Sequence, residues 1–219
     1  MREKMLYNPC YYQLREGQLE RMLTIIKQTQ KAYQKGIVFF GDSITEMYDL
    51  EKYYSEIELK YNCGIGGATS QELLWIVDEA VIKYNPRVVV LMIGINDLGN
   101  TVMLSPKQIA VNVKNIIDLI RGNCPDTKIV LLSTLPCREE LRSYHQVPGI
   151  RCNDLVEMIY SQYLELITDP HTTLINVFKD FVDEQKNAIT QYYGDGLHLN
   201  DKGYKKLTEI IKPIIKEFI

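Results

Sequence analysis

Residues 88–93, Val-Val-Val-Leu-Met-Ile, are apolar at every position, and this run constrains the fold more than any other feature of the chain. A strand with one wet face alternates apolar and polar side chains. An unbroken apolar run of this length instead fits a strand covered on both faces, as in parallel sheets packed between helices. Two more short runs behave in the same way, at 37–40 and 129–132, and a further strand candidate, 174–177, is apolar but for Asn176. Residues 57–61, Ile-Glu-Leu-Lys-Tyr, alternate instead, which suits an edge strand.

Helix signals fall between these runs. Thr69 with Glu72, and Ser105 with Gln108, have the spacing of capping boxes, and Pro106 sits at a first helical position. Ile109, Val113, Ile116, Ile117 and Ile120 then repeat at helical spacing, with Arg121-Gly122 as the expected stop. Leu19, Met22, Leu23 and Ile26 predict an apolar stripe on a helix that precedes the first strand. A last helix carries Leu207, Ile210, Ile211, Ile214 and Phe218, with Pro213 expected to bend it. Alternating strands and helices predict a three-layer αβα sandwich around a five-stranded parallel sheet. With the alternating strand at an edge, the expected order is flavodoxin-like, 2-1-3-4-5. No linker or repeat interrupts the pattern, so residues 1–219 read as a single domain with 1–35 as an N-terminal helical extension.

Composition removes several function classes. The net charge of -3 offers no basic field for a nucleic-acid backbone. No apolar run approaches the roughly 20 residues of a membrane span, and the first residues hold no apolar export signal. The five cysteines (Cys10, Cys63, Cys124, Cys137 and Cys152) are scattered, without CxxC spacing, and read as reduced thiols in a cytoplasm. The three histidines lack ligand-like spacing, so neither a metal nor another cofactor is expected.

In an open parallel sheet, ligands bind beyond the carboxyl ends of the strands. Gly41-Asp42-Ser43-Ile44-Thr45 follows the first strand, and residues 62–69, Asn-Cys-Gly-Ile-Gly-Gly-Ala-Thr, follow the second. Gly94-Ile95-Asn96-Asp97 follows the third, and Asp195-Gly196-Leu197-His198 precedes the last helix. Each block alone is a weak signal, since Gly, Asn, Asp and Ser also build ordinary turns and caps. Their joint placement is the informative fact.

Together the four blocks resemble the GDSL, or SGNH, hydrolase superfamily, whose hallmark residues are Ser, Gly, Asn and His. The resemblance runs from about residue 38 to residue 205 and is similar in detail to the branch of platelet-activating-factor acetylhydrolase-like and bacterial acetylesterase-like proteins. One departure is Ala68, where many members carry Asp; that Asp is outside the triad, and its loss bears on loop support. The resemblance implies Ser43 as nucleophile, His198 as general base and Asp195 as its orienting partner. A serine hydroxyl needs a base to take its proton, and an imidazole can return that proton to the leaving alcohol. The oxyanion would be held by the backbone N–H groups of Ser43 and Gly67 and by the Asn96 amide. Gly66-Gly67 could instead merely start a helix, and Asn96 could merely close a turn. Asp42 and Asp97 read as loop braces, Cys63 as packing and His171 as structural. His145 lies in the segment 136–148, which could line or cover the pocket.

Two rivals remain. Gly64-x-Gly66 before a helix suggests a dinucleotide turn, but Thr69 stands where the third glycine belongs. A carbohydrate- or lipid-binding relative without activity would have no need of Ser, His and Asp together. Within the enzyme class the resemblance implies O-acetyl sugars, short-chain esters, lysophospholipids or acyl thioesters as substrates. A short acyl group such as acetyl is the preferred reading and a lysophospholipase or thioesterase the alternative. The resemblance also allows a homodimer.

Overall fold

The computed structural model describes residues 14–99, 103–141 and 151–219. Its strands are β1 (Ile37–Gly41), β2 (Lys60–Gly64), β3 (Val88–Met92), β4 (Lys128–Leu132) and β5 (Thr172–Ile175). All neighbouring pairs are parallel and the order is β2-β1-β3-β4-β5, the flavodoxin-like arrangement expected. The helices are α1 (Glu16–Thr29), α2 (Ser43–Glu46), α3 (Leu50–Tyr53), α4 (Ser70–Ala80), α5 (Pro106–Asn123), α6 (Asn153–Leu166) and α7 (Asp201–Lys216).

The apolar runs divide their side chains between two cores. Val38, Phe40, Val89, Leu91, Ile129 and Leu131 enter a cluster with residues of α4, α5 and α6. Their neighbours Ile37, Phe39, Val88, Val90, Val130 and Leu132 enter a second cluster with Ile44, Leu50, Tyr54 and the α7 residues Leu207, Ile211 and Ile215. A period of two therefore persists, but both faces are covered, and β1 and β3 are buried throughout. Each such side chain removed from water contributes roughly 1.5–3 kcal/mol, which is why these strands sit at the centre of the sheet. Both expected capping boxes form, at Thr69 and at Ser105, with Pro106 in the first turn of α5.

Several boundaries and one helix face depart from the sequence reading. The alternating segment 57–61 does not start β2. The Ile57 N–H bonds the Tyr54 carbonyl at 2.9 Å in a turn, and pairing with β1 begins only where Ile37 donates to the Leu59 carbonyl. Ile57 is buried from that turn, so the alternation placed the start of the edge strand three residues early, and only Lys60 and Tyr61 of the segment belong to β2, which does lie at an edge. β5 lies two residues earlier than the run 174–177, because Val177 and Phe178 fill the core from a 3-10 turn that the Ser133 hydroxyl holds at the Phe178 N–H. Helix α5 continues past Gly122 to Asn123. On α1 the buried face is Gln18, Met22, Ile25 and Thr29, whereas Leu19 and Leu23 are exposed. The reason is polar: Gln18 donates to Glu72 and Thr29 to the Glu79 carbonyl, both on α4, so two hydrogen bonds set the rotation of the helix. Helix α7 runs through Pro213. Among the described residues no helix is long and apolar enough to cross a membrane.

Candidate active site

Strand β1 ends at Gly41, and the chain turns at once into α2 with Asp42 as its N-cap. The Asp42 carboxylate accepts the Ile44 N–H at 3.0 Å. Ser43, the first residue of that helix, is thereby held at the carboxyl end of β1. Its own backbone N–H belongs to the first helical turn, which has no intrahelical acceptor. On the far side of α2, Tyr204 of α7 donates to the Ile44 carbonyl at 2.8 Å and fixes the turn from beneath.

His198 arrives from the other end of the chain. Its loop is pinned by Gly194 N–H to His198 O at 2.9 Å, by the Tyr193–Leu199 bridge and by Arg138 N–H to Gly196 O at 2.8 Å. Leu197 and Leu199 are buried on either side of it. His198 Nε2 lies 2.9 Å from Ser43 Oγ, and His198 Nδ1 lies 2.8 Å from Asp195 Oδ2. A carboxylate only accepts, so Nδ1 carries the proton and the Nε2 lone pair faces the serine hydroxyl. Asp195 is itself ordered by the Leu197 and His198 N–H groups, each 2.7 Å from Oδ1. The three expected side chains thus form one hydrogen-bonded line that can draw a proton from Ser43.

The second block packs over this line. Gly67 adopts φ +74°, a left-handed conformation open to glycine at little cost. Gly64 approaches α2 so closely that a Cβ there would lie 2.1 Å from the Glu46 nitrogen. Asn96 is buried and donates one amide hydrogen to the Ala68 carbonyl at 3.0 Å, which leaves its second hydrogen for a ligand oxygen. The Asn96 Oδ1 faces Arg151 Nη2 at 3.4 Å, and Arg151 Nε also donates to the Ile95 carbonyl, so the guanidinium sets which way the amide points.

Asp97 closes the arrangement: its carboxylate accepts the Ser70 N–H at 3.0 Å and the Ser70 hydroxyl at 2.5 Å, tying the third block to the start of α4. The first N–H groups of α4 are thus occupied by carboxylates, with Glu72 on the Thr69 N–H and Asp97 on the Ser70 N–H. Gly66 N–H is taken by Glu46. Three carboxylates at this turn oppose a pyrophosphate, which argues against the dinucleotide reading. His171 lies against Lys128 near the opposite end of β4, away from the site. Cys63 packs in the core, and burial pushes its thiol up to about 12. His145 falls outside the described residues. Arg21, Glu46 and Arg151 went unseen in the sequence, since none belongs to a block that pattern alone distinguishes.

Burial raises Asp42 to about 6, opposed by the Ile44 N–H, and raises Asp97 to about 7, opposed by the Ser70 groups. Folded values above the unfolded value of 3.8 mean that the folded chain holds these protons more tightly. The corresponding stability is complete below that value and is lost as pH rises through about 6 to 7. Glu56, held at about 2 chiefly by Lys212, works in the opposite sense but only below its ordinary 4.5. The melting temperature should therefore rise as pH is lowered from about 8 to about 5, and Asp97→Asn should flatten that slope. Melting curves on a pH series check this; an unchanged slope in the variant removes Asp97 as the cause.

The profile of the GDSL-like Lipase/Acylhydrolase family matches residues 39–206. The chain belongs to this family. It is accordingly a carboxylic ester hydrolase, with the five-stranded fold of that group. Among curated relatives, the bovine platelet-activating factor acetylhydrolase IB subunit alpha1 is 25% identical over 82% of this chain and 74% of its own length. The human subunit alpha2 is 24% identical over 86% and 80%. A solved structure from Streptococcus pneumonia, described as a candidate platelet activating factor, superposes with TM-score 0.83 and 27% identity over 91% of this chain and 93% of the other. A GDSL-like lipase from Bacteroides thetaiotaomicron has the same fold, with TM-score 0.76 and 24% identity over 90% and 98%.

Proposed function

We propose that this family member is a serine esterase that removes short acyl groups, acetyl above all, through a covalent acyl-enzyme formed on Ser43. The observation that carries the reading is the line from Ser43 Oγ through His198 to Asp195, with a 2.9 Å contact between residues 155 positions apart and a 2.8 Å contact within the His198 loop. Ser43 Oγ attacks the ester carbonyl while His198 Nε2 takes its proton. The tetrahedral oxyanion is met by the Ser43 and Gly67 N–H groups and the spare Asn96 amide hydrogen. As the intermediate collapses, the C–O bond to the alcohol breaks and His198 returns its proton to that oxygen. Water then enters, His198 again acts as base, and attack on the acyl-enzyme releases the acid.

Preference for acetyl rests on the relatives, which include platelet-activating factor acetylhydrolase subunits over most of this chain. Buried thiols such as Cys63 and Cys137 fit the cytoplasmic reading, since no described cysteine is disulfide-bonded. The test is kcat/KM on p-nitrophenyl acetate, butyrate and octanoate, together with labelling by a fluorophosphonate. The acetate ester is expected to be the best substrate and Ser43 the labelled residue. A rise with chain length would transfer the assignment to a lysophospholipase or thioesterase. Folded protein that takes no label would point to the binding-module reading.

A further inference from the structure

We infer that Arg151 is a positioning residue of the oxyanion hole: its guanidinium, set against the Asn96 amide oxygen, turns the amide hydrogens toward the reacting centre and strengthens them as donors. The inference rests on the reading of Asn96 as an oxyanion donor.

A side-chain amide has two broad settings about its terminal torsion, related by a half-turn, and rotamer preference does not choose between them. In one setting Asn96 presents N–H to a developing oxyanion. In the other it presents oxygen, which repels that charge. The partners of the amide therefore decide whether Asn96 helps or hinders the reaction. The Ala68 carbonyl can only accept, and it takes one Nδ2 hydrogen at 3.0 Å. A guanidinium can only donate, and Arg151 Nη2 stands 3.4 Å from Oδ1. A half-turn would set oxygen against the Ala68 carbonyl and N–H against a cation, in a place too buried for water to compensate. The two contacts are not equal, because only the arginine carries a full charge. A cation beside the amide oxygen draws electron density toward it and leaves the N–H hydrogens more positive, so the bond on one side strengthens the bond on the other.

The guanidinium is held where it can act. Gly99 N–H closes a turn on the Asn96 carbonyl at 3.2 Å, and Arg151 Nε donates to the Ile95 carbonyl at 3.1 Å. A Cβ on Gly99 would lie 3.5 Å from Nε and 3.7 Å from Cζ, so the turn wraps the planar group. Behind it, two residues on, Asn153 accepts the Cys137 N–H at 2.8 Å and donates to the Cys137 carbonyl at 3.0 Å, which ties the start of α6 to the chain beyond β4. Arg151 thus reaches from a fixed base to the residues that follow β3. The same charge is felt at the nucleophile's turn: burial raises Asp42, and Arg151 is among the groups that oppose the rise.

Arg151→Met removes the charge and is expected to lower kcat for p-nitrophenyl acetate roughly five- to fiftyfold with KM nearly unchanged. Because the arginine acts through Asn96, this loss should stay below the roughly hundred- to thousandfold of Asn96→Ala. Rates are to be counted per Ser43 labelled to completion with a fluorophosphonate, so that loss of folded protein does not register. The deciding comparison is Arg151→Met in the Asn96→Ala background, where no amide remains to be oriented and the arginine's removal should cost less than about twofold. Whatever else the guanidinium holds, only the share that passes through Asn96 vanishes there. Arg151→Lys keeps the charge without the planar fork and should lose roughly three- to tenfold; it takes the place of the methionine variant in both backgrounds if that one does not fold. An undiminished penalty in the Asn96→Ala background, a kcat within about twofold of the parent for the variant used, or a change confined to KM overturns the inference. Asn96→Ala alone separates the two levels. If it loses about a hundredfold beside an unimpaired Arg151 variant, only the arginine's role falls; if it stays within about twofold of the parent, the reading of Asn96 falls and takes the inference with it.

Discussion

Ser43→Ala is expected to lower kcat for p-nitrophenyl acetate by about four to six orders of magnitude while leaving the fold intact. The fold should survive because the Ser43 side chain makes its hydrogen bond to His198, whereas α2 is held by the Asp42 cap and the Tyr204 hydroxyl. His198→Ala removes the proton acceptor and should cost about as much. Since the two side chains act as one unit, the double variant should be scarcely worse than either single one. Initial rates and circular dichroism on the three variants test this. Retention of more than about a tenth of the parent rate in either single variant would contradict the proposed triad.

Asn96→Ala comes next in size. Loss of one preorganised donor to an oxyanion costs a hundred- to a thousandfold in kcat, about 2.7–4 kcal/mol, with KM little changed if the donor acts only in the transition state. A smaller second effect follows from the structure. The same amide holds the Ala68 carbonyl at 3.0 Å, so the variant should also lose on the order of 1 kcal/mol of stability. Steady-state kinetics beside a denaturant titration separates the two. A change seen only in KM would make Asn96 an ordinary binding residue, and an unchanged denaturation midpoint would mean that the Ala68 contact carries no weight.

Legibility followed the range of the forces involved. The apolar runs of β1, β3 and β4 declared themselves because burial on two faces leaves no position for a polar side chain. The strand ends then declared the site, since four blocks rich in Gly, Asp, Ser and Asn fall where a parallel sheet binds its ligands. The limits of β2 and β5 stayed hidden because Ile57, Val177 and Phe178 are buried from turns, and burial alone does not distinguish a turn from a strand. The rotation of α1 was misread for a related reason: Gln18 and Thr29 face inward to satisfy partners on α4, and the outward Leu19 and Leu23 carry the apolar character that periodicity counts. Arg21, Glu46 and Arg151 act on groups 43, 20 and 55 residues away, and no local spacing encodes such contacts.

The nucleophile and its base sit on parts of the molecule with unequal freedom. Ser43 follows directly on a strand that is hydrogen-bonded on both sides and buried along its whole length, so the segment feeding it opens only when the sheet itself comes apart. His198 rides on a loop outside the sheet whose carboxylate partner is nearly half exposed. Amide exchange is therefore expected to be slowest along β1, beneath the attacking hydroxyl, and faster in the loop that carries the imidazole.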